Sequence, residues 1–332
     1  MNASTNRVVV LSGGVGAARF LSGLIDAIDP SRITAVVNTG DDTVLHGLSI
    51  SPDLDTITYT LAGAIDPERG WGLRDESWRA IEALGRYARV RPDGSVAAPL
   101  WFNLGDQDLA THFYRTARLA EGATLTDVTA EIARAWDLPI RMIPMSDDRL
   151  STMVGIDDEA HDPAQGAGVV EVSFQDYFVR LRHGVPIRSV RFDGDASMSG
   201  PARSAMENAE VIVIAPSNPI VSLGPMRSLP GFDQVLARRR DRTVAVSPIV
   251  GGVALKGPAA QMLDELGHGA SVVGVARMYR DVAATLVIDP VDEHLVPEVE
   301  DAGMRCVVTP SIMSSPDVAR QLAETTLAAV TS

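Results

Sequence analysis

One cysteine, Cys306, occurs in 332 residues, so no intrachain disulfide is possible. In the apolar run "MRCVVTP" it reads as a buried strand residue rather than a nucleophile. Lysine is as scarce: Lys256 is the only one, and arginine supplies the remaining positive charge. A solitary lysine is either a leftover surface residue or a position that needs a compact ammonium group. A net charge of −14 leaves no basic surface to displace counterions from a phosphate backbone, which excludes sequence-independent nucleic-acid binding. No apolar run approaches the roughly 18 residues of a membrane span, and the polar start "MNASTN" lacks the charged and apolar regions of a signal peptide. The expected location is cytoplasmic, away from any membrane. Aromatic residues make up only 5% of the chain, so two of them side by side carry weight.

A 45% hydrophobic content can supply a substantial core. Seven short β-rich apolar runs recur with helical stretches between them: "RVVVLS", "ITAVVN", "IRMIPM", "VIVIAP", "TVAVSP", "TLVID" and "RCVVTP". This pattern predicts an α/β fold, a Rossmann-like doubly wound and mostly parallel sheet covered by helices. Most runs end in small, polar or proline residues, as in Asn38-Thr39-Gly40 and Pro216-Ser217-Asn218. In a doubly wound sheet such loops share one edge, where ligands bind. Residues 56–137 break the rhythm with mainly helical patterns such as "DESWRAIEALGRYARV". They read as a helical insertion or cap contributing to the substrate cleft, set in a core made of residues 1–55 and 138–332.

In "SGGVGAARF", Gly13, Gly14 and Gly16 permit close backbone approach and positive φ, and the following helix points its positive end at the turn, with Arg19 one turn in. The passage lacks the lysine and hydroxyl of a P-loop and the third glycine of a dinucleotide fingerprint, so a phosphate site and a plain tight turn both fit it. The stretch "VNTGDDTVLHGLSISPDLDTITYTLAG" is richer: Asp41 and Asp42 follow a strand end, Asp53 and Asp55 come just before a helical pattern, and His46 lies between. Hard cations such as magnesium want carboxylate oxygens and often share their shell with phosphates. Two acidic clusters beside a glycine turn therefore suit metal-assisted phosphoryl transfer. Asp53 or Asp55 also suits a helix cap, and His46 either a structural place or a substrate contact.

"LWFNLGDQDLATHFYR" sets Trp101 and Phe102 beside Asn103, Asp106, Asp108 and His112. That is a mouth able to stack a planar ring while polar groups read its edge, although Asp106 also suits a helix cap. "SNPIVSLGPM" offers Ser217, Asn218, Ser222 and Gly224 to a phosphate or ribose. "SPIVGGVALKGPA" adds Gly252 and Lys256 near a helix start that Pro258 alone would also explain.

Together these passages resemble the 2-phospho-L-lactate transferase family of deazaflavin coenzyme biosynthesis, and within it the actinobacterial phosphoenolpyruvate transferase branch. They occur in the family's order along nearly the whole chain. The resemblance implies a transferase of coenzyme F-420 biosynthesis. It would move a phosphoenolpyruvyl or 2-phospho-L-lactyl group from a guanosine diphospho donor to the terminal ribityl hydroxyl of the deazaflavin Fo, releasing GMP. It implies Mg2+ at Asp41, Asp42 and Asp55, one of which orients or deprotonates the attacking hydroxyl. Gly13, Gly14, Gly16 and Arg19 would meet the donor's diphosphate, with Asn38, Thr39 and His46 as further substrate contacts. Ser217, Asn218, Ser222, Gly224, Gly252 and Lys256 would hold the guanosine side, and Trp101, Asn103, Asp106 and His112 would face Fo. A homodimer is the expected assembly. The scaffold also resembles nucleotide-sugar-binding regulatory proteins, an alternative without chemistry. An NAD-linked oxidoreductase fits the opening turn alone, since the second strand ends in "NTGDD" rather than in one acid that reads a ribose.

Overall fold

The computed structural model describes residues 7–158, 168–255 and 257–331; the expectations placed on "MNASTN" and Lys256 lie outside them. Strand β1 (Val8–Ser12) runs into α1 (Gly14–Ala27), and β2 (Ile33–Val37) follows. A hairpin of β3 (Thr43–Leu45) and β4 (Leu48–Ile50) leads into α2 (Pro52–Leu61). Three more helices, α3 (Arg79–Ala88), α4 (Asp106–Ala120) and α5 (Leu125–Ala135), precede β5 (Arg141–Pro144). Next, β6 (Ser151–Asp157), β7 (Val169–Ser173) and β8 (Ile187–Asp193) form a separate antiparallel sheet in the order β7-β6-β8. After α6 (Gly200–Glu207) come β9 (Val211–Ile214), α7 (Leu223–Ser228), α8 (Phe232–Arg238) and β10 (Thr243–Val246). The short pair β11 (Ile249–Val250) and β12 (Val253–Ala254) leads to α9 (Ala259–Glu265) and α10 (Val272–Tyr279). Finally, β13 (Thr285–Ile288), α11 (Val296–Asp301), β14 (Arg305–Val308) and α12 (Pro316–Thr331) complete the chain.

The central sheet has seven strands in the order β14-β13-β10-β9-β1-β2-β5, and every adjacent pair is parallel. Its strands are the seven apolar runs read from the sequence. They are continuous apolar runs because both faces are covered, and the period of two shows in which core each residue joins. Val8 and Val10 pack into the layer under α1 and α12, whereas Val9 and Leu11 pack into the opposite layer. Strand β9 repeats the split, with Val211 and Val213 on one side and Ile212 and Ile214 on the other. From β1 the chain moves to β2 and β5 in one direction and returns through β9 and β10 in the other. The carboxyl ends of β1 and β9 therefore mark the point where strand order reverses, the usual ligand crevice of such sheets.

Helix α1 is held against its neighbours with no room to spare. A Cβ on Gly16 would lie 2.1 Å from the Pro216 carbonyl oxygen, and one on Gly23 would lie 2.3 Å from the Ala319 carbonyl carbon of α12. Between β4 and β5 the chain forms four helices and one bridge, between Ile65 and Leu73, joined by irregular loops over residues 62–78 and 89–105. That segment shares a small core with the β3–β4 hairpin, Leu45 and Ile50 with Ile81 and Leu104, against which Trp101 and Phe102 pack. Among the described residues, no helix is long and apolar enough to cross a membrane. Cys306 lies half-buried in β14, and burial, with the Glu300 charge adding to it, pushes its thiol up to about 11.

Candidate active site

A cleft of about 960 Å³ opens along the carboxyl ends of the central strands. Gly13, Gly14, Gly16 and Arg19 line its floor, Ser217, Asn218 and Ser222 come from the loop after β9, and Ser311–Ser314 from the loop after β14. Asp41, Asp55, Trp101, Asn103 and His112 line the opposite part. Twelve of the residues that the sequence assigns to the site therefore share one cavity.

The floor is built by close packing. Gly14 has φ +69°, and a Cβ on Gly13 would sit 2.5 Å from the Ser222 Cβ and 3.0 Å from a carboxylate oxygen of Asp53. The Gly13 amide donates to Ser217 Oγ at 3.1 Å. The turn is thus pressed against a neighbouring loop on one side and a carboxylate on the other.

Asn38, fully buried, organises the first carboxylate group. Its Nδ2 donates to Asp41 Oδ1 at 3.2 Å and to Asp53 Oδ2 at 3.0 Å, while its Oδ1 accepts from the Gly40 amide at 2.9 Å. Gln175 Nε2 donates to the Asp41 carbonyl at 3.2 Å. Asp42 Oδ2 accepts from Ser51 Oγ at 2.6 Å, and its Oδ1 is buried without a partner. Burial, with Asp53 and Asp42 as like charges beside it, pushes the Asp41 carboxyl well above the usual carboxylate range. Burial likewise raises Asp42, against the opposing Ser51 bond and Arg115 charge. Asp53 is pushed up to about 6 by burial, although the Asn38 and Gly14 hydrogen bonds pull it down. Among the described residues, no cation forms an ion pair with Asp41, Asp42 or Asp53.

A second carboxylate group is already compensated. Arg115, 2% exposed on α4, forms a two-point pair with Asp55 through Nη2–Oδ1 and Nη1–Oδ2, the latter at 3.1 Å. Arg115 Nη1 also lies 3.3 Å from His112 Nδ1. A guanidinium only donates, so that nitrogen accepts and the imidazole proton sits on Nε2, which faces Asp108 Oδ2 at 3.2 Å. Asp108 Oδ1 accepts from the Tyr59 hydroxyl at 2.6 Å. Burial alone would raise Asp108, but the His112 and Tyr59 hydrogen bonds bring it below its ordinary value. Burial and the Asp55 charge push the Tyr59 hydroxyl far up, so it stays a donor.

A family model for the 2-phospho-L-lactate transferase CofD matches residues 8–314. The chain belongs to this transferase family. It is 39% identical over 327 residues to a phosphoenolpyruvate transferase of Kitasatospora aureofaciens, covering 97% of each chain. It is 40% identical over 326 residues to one of Streptomyces avermitilis, again covering 97% of each. It is 37% identical over 331 residues to one of Mycobacterium tuberculosis (strain H37Ra), covering 95% of this chain and 96% of the other. The crystal structure of protein BH3568 from Bacillus halodurans superposes with a TM-score of 0.60 over 98% of this chain and all of that one, at 15% identity. At that identity the likeness concerns the fold alone.

For a member of this transferase family the first carboxylate group fits a hard divalent cation. It gathers oxygen ligands, no cation pairs with it directly among the described residues, and Asp42 Oδ1 is an orphan acceptor. Asp55, Asp108 and His112 also converge within ligating distance of one another, but Arg115 already supplies positive charge there, and its bond takes the His112 Nδ1 lone pair.

The remaining sequence candidates lie off the cleft lining. Asn38 and Asp42 support it from behind; Thr39 is buried with its Oγ1 unpartnered. His46 occupies the β3–β4 turn at φ 55°, and burial lowers its pKa. Asp106 binds the Ser77 amide and hydroxyl at 2.8 and 2.9 Å, fixing the start of α4. Gly224 lies where a Cβ would press on the Phe192 ring at 2.7 Å, and Gly252 sits in the exposed β11–β12 turn at φ +77°. The cleft also holds Asp53 and Asp108, which the sequence shows in its acidic stretches, and Tyr59, Trp71 and Gln175, which no sequence motif marks. Asp108, His112 and Arg115 follow i, i+4, i+7 spacing, which places them on one helix face and was the readable signal for their network.

Proposed function

We propose that the protein is a magnesium-dependent phosphoenolpyruvate transferase of coenzyme F-420 biosynthesis. It transfers the phosphoenolpyruvyl group from a guanosine diphospho donor to the terminal ribityl hydroxyl of Fo and releases GMP. The observation that carries this reading is the cluster of partly to fully buried carboxylates of Asp41, Asp42 and Asp53, which no cation pairs directly among the described residues, against the Gly13–Gly14 turn. A diphosphate cannot approach these carboxylates without a cation between them. The names of the actinobacterial relatives support enolpyruvate over lactate as the group carried.

Magnesium held by Asp41 and Asp53, with Asp42 behind them, would neutralise charge on the diphosphate and on the departing GMP. The residues of the chain do the positioning. The positive end of α1 faces the phosphates, and Arg19, which forms no ion pair among the described residues, is free to meet an anionic donor. Ser217, Asn218 and Ser222 offer hydroxyl and amide groups on the β9 side. Arg115 keeps Asp55 oriented, and Asp55 with Asp108 accepts a hydrogen bond from the attacking hydroxyl. The reaction is thereby reduced to alignment and charge stabilisation. A cytoplasmic homodimer completes the proposal.

The test is a mass-spectrometric assay with Fo, magnesium and each of the enolpyruvyl and lactyl guanosine donors. Release of GMP with a product of enolpyruvyl mass is expected. A lactyl product reassigns the donor, and unchanged Fo in protein that binds nucleotide overturns the transferase in favour of a nucleotide-binding regulatory module.

A further inference from the structure

The loop between α2 and α3 presents a single tryptophan to the cleft. Trp71 is 43% exposed, whereas Gly70, Gly72 and Leu73 around it are buried. Both flanking glycines have positive φ, 74° and 69°, a conformation that turns the intervening side chain out of the loop. Burying such a ring inside the protein would have stabilised the fold, so its exposure on the wall of a ligand cleft calls for another partner.

The loop is built to hold that ring still. Asp66 Oδ1 accepts from the Glu68 and Arg69 amides at 2.8 and 2.9 Å, and the Asp66 amide donates to the Gly72 carbonyl at 3.1 Å. Arg69 pairs with Asp66 and with Glu76, each at 3.1 Å, and donates to the Leu73 carbonyl at 2.9 Å. The Glu76 side chain is fully buried against Gly105, where a Cβ would overlap it. The guanidinium thus held lies over Trp71 at 5.4 Å and over Trp78 at 4.9 Å from the ring centroids. Trp71 is therefore backed by this cation and by the tilted Trp78 ring, 6.0 Å away at 52°, while its exposed part lines the cleft.

Resting on the transferase reading, we propose that Trp71 is the ring platform that determines acceptor specificity: the planar heteroaromatic ring of the acceptor packs on the part of it that is exposed to the cleft. Two alternatives on the same wall are less suited. Trp101 and Phe102 meet edge to face at 5.8 Å and pack on the small core beside them. Phe178 is stacked against Phe174 at 5.5 Å and His183 at 5.6 Å, which occupies its faces. The loop also enters from the β2 side of the sheet, away from the β10 and β14 loops that border the other end of the cleft. That separation assigns Trp71 to the acceptor ring rather than to the guanine of the donor.

Two measurements on the full chain decide it. Binding of Fo is followed by its own fluorescence, and turnover gives KM for Fo and for the donor separately, in wild type, Trp71→Leu and Trp71→Phe. Trp71→Leu should raise the Kd and KM for Fo about tenfold or more, with kcat and the donor KM within about twofold. Trp71→Phe, which restores a ring, should recover most of the loss. If Trp71→Leu leaves Fo binding unchanged, or raises the donor KM instead, the acceptor platform is overturned while the transferase stands. If wild type binds Fo through Trp71 without turnover, the transferase reading fails and the platform stands. If wild type neither binds nor converts Fo, both fall.

Discussion

Arg115→Met removes the guanidinium that meets Asp55 and leaves that carboxylate, 5% exposed, without a cation. Methionine fills much of the vacated volume, so the loss is electrostatic rather than a cavity. Breaking a buried pair from one side costs about 3–5 kcal/mol. Asp42 also loses a stabilising charge, because the Arg115 cation is among the influences that hold it down. At about 2.1 cal/mol/K per residue, a 332-residue chain has an unfolding entropy near 0.7 kcal/mol/K, and Tm should fall by about 4–7 °C. Thermal melting of the metal-free protein at pH 7, followed by circular dichroism, reads the shift. Combining it with Asp55→Asn should recover a large part of the loss, since a neutral amide needs no counter-charge. A single variant melting within about 1 °C of wild type, or a double variant losing the sum of both single losses, would refute the argument.

Other expectations follow from the same geometry. Asp53 titrates near 6 in the fold against an ordinary 3.8. In metal-free protein its ionisation therefore opposes folding: the stability it leaves intact below about pH 4 is lost as pH rises to about 6. Asp53→Asn should gain up to about 3 kcal/mol on wild type above that window, while magnesium-dependent turnover disappears. Denaturant titrations at pH 4 and 7 with a chelator check it, and parallel pH dependences of the two proteins would count against it. Gly16→Ala drives a methyl into the Pro216 carbonyl and should cost about 1–3 kcal/mol with a raised donor KM; an unchanged melting curve would show that α1 is not seated so closely. Cys306, the chain's one thiol, is held up to about 11, so iodoacetamide at pH 8 should modify it about a hundredfold more slowly than free cysteine. Reaction at the free rate would place it outside the core.

The fold was readable because a parallel sheet covered on both faces writes each strand as an unbroken apolar run. "VIVIAP" and "TVAVSP" need no knowledge of their partners to be recognised. The glycine turn was found for one reason and explained by two: Gly16 is required by the Pro216 carbonyl and Gly13 by Ser222, whatever binds there. Long-range pairing hid the rest. Nothing local to Asp55 and Arg115 announces that they meet across 60 residues, and the antiparallel β6–β8 sheet brings Phe174 and Gln175 to the cleft from a distant part of the chain. Trp71 escaped notice because a lone aromatic between glycines has no periodicity; its meaning comes from the buried Arg69–Glu76 pair behind it.

Helix α1 lies against α12, and β1 is paired with β9. This strand and helix are thus made well before the elements that enclose them, waiting for Val211–Ile214 and then for Pro316–Thr331. A nascent chain has no finished cleft floor, so a ligand cannot trap a half-built protein. A copy that stops short of α12 leaves exposed the apolar side of α1 that otherwise shares a core with Leu322 and Ala323. Such a product should be seen by chaperones and proteases as unfinished, rather than persist as a weakly active enzyme.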